Sequence, residues 1–188
     1  MEVFAHLRFL MTMVIGLGIT RILAGLARMV QAPAWRPGMA AHVVWSLVVL
    51  IYAVHFWWGE FALHEIPVWY FGSYLLVLFY AFLIFLLAAL LFPDVTHEHA
   101  GHEGYFLQQR AWFFGVFILC VLVDILDTAL KGKEYLLQLG PEYLFRAAFA
   151  VVLAVIAACV RSARSVAVIG LIWLTYNMSW ILRFYAIR

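Results

Sequence analysis

Six separate stretches of this chain are long and apolar enough to cross a bilayer, and no other feature constrains its fold as much. A helix rises about 1.5 Å per residue, so about 20 predominantly apolar residues span the hydrocarbon. Runs of this kind fall at about 3–30, 39–58, 69–92, 106–130, 143–160 and 166–185. Inside hydrocarbon every backbone N–H and C=O needs an internal partner, which leaves helices for segments of this length. The expectation is an all-α membrane protein, a polytopic bundle of about six transmembrane helices. The spans consume most of the 188 residues, so residues 1–188 read as one transmembrane domain.

Composition agrees. The chain is 68% hydrophobic and 12% charged, whereas a soluble domain is roughly half apolar and a quarter charged. The stretches between spans carry residues that interrupt helices: Pro33, Pro37 and Gly38, then Pro67, Pro93, and Gly140 with Pro141. Tryptophan and tyrosine gather at span ends, with Trp57, Trp58, Trp69 and Tyr70 on one side and Trp35, Tyr105 and Trp112 on the other. Such rings prefer the headgroup level. The N-terminal apolar run continues through glycines into Arg21, which reads as a first span that stays rather than a removed leader.

The side of the bilayer that holds the N-terminus is called side A and the opposite side B. Short turns beside Arg28, Arg36, Arg161 and Arg164 lie on B, so the positive-inside tendency places loops 31–38, 93–105 and 161–165 in the cytoplasm of a bacterial-type inner membrane. A net charge of +2 is too small to imply nucleic-acid binding. The expected partners are the lipid bilayer and either further copies of the chain or the subunits of a membrane complex. Arg8 and Arg110 precede apolar runs at similar offsets, and a three-plus-three inverted repeat is one reading of that match.

The most informative span is the fourth, because it carries Asp124 and Asp127. A carboxylate at membrane depth costs about 2.5–3.5 kcal/mol even on lenient insertion scales, so it requires a partner or water. Three residues apart, the two aspartates share a helix face. Arg8, Glu60 and Arg146 fall at similar depth, and together the five outline a charged layer near side A. Such a layer suits an ion or substrate pathway; the competing reading is a ring of salt bridges that fastens helix ends. In the first span Gly16, Thr20 and Ala24 recur every four residues, a small-residue seam for helix packing within the subunit or between subunits.

Histidine supplies two further readings. His97, His99 and His102 lie in an acidic loop whose composition suits a divalent transition metal, although their spacing is not that of a helical zinc protease. His6 and His55 could approach one another near side A, but one such pair is a poor basis for haem. Asn177 and Thr175 in the sixth span are expected to bond to a neighbouring helix. Activated serine or cysteine arrangements, phosphate loops and dinucleotide fingerprints are not recognisable, so an enzyme is not expected. Function therefore reads as a small channel or transporter for an ion or small solute. The alternative is a non-catalytic accessory or assembly subunit of a larger membrane complex.

Overall fold

The computed structural model describes residues 2–31, 39–66, 68–92 and 101–185. Its helices are α1 (Glu2–Gln31), α2 (Met39–Gly59), α3 (Phe71–Leu91), α4 (Gly101–Leu130), α5 (Lys133–Leu139), α6 (Glu142–Cys159) and α7 (Ala163–Tyr185). A 3-10 helix over Glu60–Glu65 extends α2 on side A. Six of these helices are long and apolar enough to cross a membrane, and the protein is a polytopic helical membrane protein. Two elements depart from the expected spans. Alpha-helical structure begins at Gly101 rather than near Phe106, and the connection after the fourth span folds into the short α5.

Each span buries one face and presents the other to lipid. Along α1 the buried residues are Leu7, Met11, Ile15, Gly18, Ile22, Gly25 and Met29, steps of three or four that trace a single helix face. Phe9, Met13, Leu17 and Leu23 are exposed on the outside, as apolar side chains bathed by acyl chains should be. The buried face of α1 packs along α3. Gly18 there lies beside Phe85 and Ala88, and a Cβ on Gly25 would collide with the Phe92 ring. The expected seam faces elsewhere: Thr20 and Ala24 are exposed, and no atom of the described residues approaches the Cβ position of Gly16. Its spacing was right for close packing, but the large apolar residues put Gly18 and Gly25 on the inner face instead.

The second helix is central, touching α1, α3, α4 and α7. Its approach to α7 is close because Gly170 has no side chain; a Cβ there would stand 2.8 Å from Val44 and 2.9 Å from Trp45 Nε1. The same Trp45 indole donates to the Val166 carbonyl at 3.0 Å. A three-plus-three repeat would pair α4 with α7 as α1 pairs with α3. Instead α4 packs along α3 and α6, and meets α7 through individual side chains such as Phe117 against Trp173.

Toward side B the interior is aromatic. Trp45 makes edge contacts with Phe113, Phe114 and Phe117, and all four rings are buried. Two arginines on this side fasten helix ends. Arg21 Nε donates to the Phe92 carbonyl just beyond α3, and Arg110 Nε to the Ala158 carbonyl at the end of α6. Cations there complement the partial negative charge of a helix C-terminus.

Candidate functional site: a charged layer near side A

The layer begins where α4 ends. Gly132, two residues past the last helical residue Leu130, adopts φ +101°, a conformation that favours glycine, and turns the chain away from the helix. The Lys131 amide still completes the last helical turn by donating to the Asp127 carbonyl. Its side chain can therefore fold back over that turn and reach Asp127, four residues earlier. Lys131 Nζ lies 2.5 Å from Asp127 Oδ2 and 2.8 Å from Glu60 Oε1, the latter supplied by the 3-10 turn after α2. The three side chains are almost completely enclosed, at 5% exposure for Lys131, 1% for Asp127 and 3% for Glu60. Burial alone would lower the ammonium pKa, but the Glu60 and Asp127 carboxylates outweigh it and hold Lys131 above the ordinary lysine value.

About one turn deeper sits Asp124. Tyr80 from α3 donates to its Oδ1 at 2.9 Å, and Tyr143 from α6 to its Oδ2 at 2.9 Å. The Tyr80 proton is thereby committed, so Tyr52 from α2 donates to the Tyr80 oxygen at 2.7 Å. Tyr143 also lies 2.9 Å from Thr128 Oγ1. The Arg146 guanidinium stands 3.7 Å from Asp124 Oδ2. It is held more firmly elsewhere, donating to Asn177 Oδ1 at 2.9 Å and lying 4.3 Å from the centre of the Trp180 ring. A desolvated guanidinium over an aromatic face is worth about 2 kcal/mol.

Two spaces adjoin these groups. An open cleft of about 710 Å³ on side A is lined by Trp58, Phe61, Ala62, His64, Lys131 and Tyr135 among others. Its volume falls in the range of small-molecule sites. Behind it lies a void of about 20 Å³ bordered by Glu60, Asp124, Thr128, Lys131, Tyr143 and Arg146. A single water needs about 10–15 Å³, so the void has room for one water or an ion of similar size. Lys131 and Tyr135 border both spaces.

Of the five residues expected in the layer, four meet: Asp124, Asp127, Glu60 and Arg146. The aspartates share a face but serve adjoining clusters, one closed by Lys131 and the other by tyrosines and Arg146. Arg8 is exposed and stands apart from both clusters. With Trp57 and Phe61 it lines a small crevice that Glu60 also borders. Lys131, Tyr52, Tyr80, Tyr143 and Trp180 belong to the site without having been expected there. Asn177 does bond to a neighbouring helix, whereas Thr175 donates to the Leu171 carbonyl of its own helix.

The histidine readings fare differently. His97 and His99 lie outside the described residues, and the His102 side chain does too, although its backbone begins α4. Among the described residues no group of three or more His, Cys, Asp or Glu is arranged to hold a metal ion. His6 is exposed on α1, while His55 packs edge-on against Trp180 and lies 3.4 Å from the Tyr185 hydroxyl. Both cysteines are free, Cys120 buried and Cys159 exposed.

Fold and site together define a small polytopic helical membrane protein with an ionic centre buried near one face. Compared with known proteins, the chain matches no family model, no curated protein and no solved structure.

Proposed function

We propose that the protein moves a proton or another small cation across the membrane, as a transporter that binds its ion in the side-A charged layer. The observation that carries this reading is the layer's charge. Glu60, Asp124 and Asp127 are set against Lys131 and Arg146, which leaves one negative charge in excess behind an open cleft. An uncompensated buried charge weakens a fastening of helix ends; a cation site requires one. The aromatic packing toward side B supports a transporter, which opens one side at a time, over an open channel. Side B, with Arg28, Arg36, Arg161 and Arg164, faces the cytoplasm in this reading, and the cleft faces outward. As a transporter the chain needs no enzymatic step.

A second reading, an accessory subunit of a membrane complex, draws support from Asp124, whose oxygens are bonded by two tyrosines beside Arg146. In that case the outward face of Gly16, Thr20 and Ala24 offers a partner helix close approach.

The cleft distinguishes the two. Ala62 lines it and can be replaced by cysteine in a Cys159→Ser background. A bulky membrane-impermeant thiol reagent added on the cleft side of proteoliposomes is expected to reduce gradient-driven ion uptake at least tenfold. The same reagent confined to the other side should leave uptake unchanged. Complete labelling with undiminished uptake would separate the cleft from the ion path.

A further inference from the structure

The Glu60–Asp127–Lys131 centre has a defect that the described residues leave uncorrected. Lys131 Nζ contacts one oxygen of each carboxylate. The remaining two, Glu60 Oε2 and Asp127 Oδ1, are buried and have no hydrogen-bond partner among the described residues. Both carboxyl groups converge on the same ammonium, at 2.8 Å for Glu60 and 2.5 Å for Asp127, so they stand side by side. As two carboxylates and one ammonium, the centre holds a net negative charge and two orphaned acceptors in a nearly closed space. An orphaned buried acceptor carries the full penalty of its lost hydration, and a charged one more.

We propose that Glu60 and Asp127 together bind one proton, shared between Glu60 Oε2 and Asp127 Oδ1 and present at neutral pH. The assignment rests on the transport reading only for its purpose: it names the transported or coupling ion as the proton. One proton from bulk water on the cleft side forms an O–H bond to one carboxylate, and the other accepts the resulting hydrogen bond. Both orphaned oxygens gain a partner, and acid, carboxylate and ammonium sum to neutrality. Two like charges held this close cannot both ionise freely. A metal cation needs more oxygen ligands than two orphaned acceptors supply.

The groups around the pair fit this assignment. On α4, Asp124 lies a turn deeper and disfavours a second negative charge, while Lys131 favours one. Tyr135 of α5 lies beyond the ammonium, its ring centre 5.5 Å from Nζ. From α2, His55 borders the void, as do Tyr143 and Arg146 of α6 and Tyr185 of α7. Arg8 of α1 stands at the exposed edge of the crevice beside Glu60. Glu60 and Lys131 border the void shared with Asp124, so a single water could pass the proton inward.

Infrared spectroscopy of the protein in lipid nanodiscs tests this directly. At neutral pH the unmodified protein is expected to show the carbonyl stretch of a protonated carboxylic acid, shifted in heavy water. Glu60→Gln and Asp127→Asn should each abolish it, since each leaves one carboxylate paired with Lys131 and a neutral amide as the second partner. Asp124→Asn should retain it. A missing band at neutral pH, or one that survives both Glu60→Gln and Asp127→Asn, would overturn the assignment. So would a band that vanishes when sodium or lithium chloride is added at constant pH, which would put a metal cation in the proton's place. The band is read without any flux: its presence in a protein that transports nothing keeps the proton site and removes the transport reading. Flux that depends on Asp124 without the band does the reverse.

Discussion

Replacing Lys131 with methionine is expected to destabilise the protein by about 3–5 kcal/mol, the usual consequence of removing one partner from a buried ion pair. The ammonium is enclosed with Glu60 and Asp127, and its removal leaves two carboxyl groups facing each other without a cation. The loss should depend on pH in a definite direction. The carboxyl pair can escape its predicament by taking up a second proton, so the penalty shrinks as pH falls and grows as it rises. In the unmodified protein the lysine pKa is raised, so its contribution is complete below the unfolded value of about 10.4 and fades only above it. Denaturant unfolding in mixed micelles across the acid-to-neutral range measures the difference. The triple variant Lys131→Met, Glu60→Gln, Asp127→Asn contains no charge at the centre and should recover most of the lost stability. A single Lys131→Met as stable as the unmodified protein at neutral pH would mean that the centre is wetter than its burial implies.

Arg146 is the second large effect. Arg146→Met should cost about 3–5 kcal/mol, because it leaves Asp124 without its nearest cation and Asn177 Oδ1 without its donor. Arg146→Lys should rescue only part of this. The guanidinium sits over the Trp180 ring while donating to Asn177, also on α7, and a single ammonium point charge cannot reproduce both contacts. The partner of largest consequence can be separated by a double-mutant cycle. Adding Asp124→Asn to Arg146→Met removes the stranded carboxylate and is expected to recover about 1–3 kcal/mol. If Asp124→Asn instead adds its own full penalty, the 3.7 Å approach of the two groups carries no energy and Arg146 is held by α7 alone.

These effects concern residues that were unequally visible in the sequence. Asp124, Asp127 and Glu60 stand out because a carboxylate beside an apolar run is rare and expensive. Arg146 was visible for the same reason. Lys131 was hidden by its position: just past a span, before Gly132, it looks like a topology-setting loop charge. Only its place in the closing turn of α4, where its amide bonds the Asp127 carbonyl, sends its side chain back over that helix. Tyr52, Tyr80 and Tyr143 were hidden by their chemistry, since a tyrosine in an apolar run contributes to hydropathy and aromatic belts alike. Their hydroxyls acquire meaning only once α2, α3 and α6 bring them to one carboxylate.

The helices themselves were legible almost to their ends, because backbone satisfaction in hydrocarbon leaves little choice. Their neighbours were less so. Small residues occur on two faces of α1, and four-residue spacing does not say which face turns inward. Leu7, Met11, Ile15, Ile22 and Met29 decide it, since their face is the one that packs along α3. Alpha-helix α5 was missed because seven residues are too few to show a periodicity.

The central claim is that the charged layer binds an ion that the protein carries across the bilayer, and flux in proteoliposomes tests it most directly. The unmodified protein and Asp124→Asn are compared under imposed gradients of protons, monovalent cations and anions, with unfolding curves to establish that both are folded. The account predicts selective cation or proton flux in the unmodified protein and its loss in a folded Asp124→Asn. Absence of flux with every ion, or equal flux in the two proteins, would contradict it.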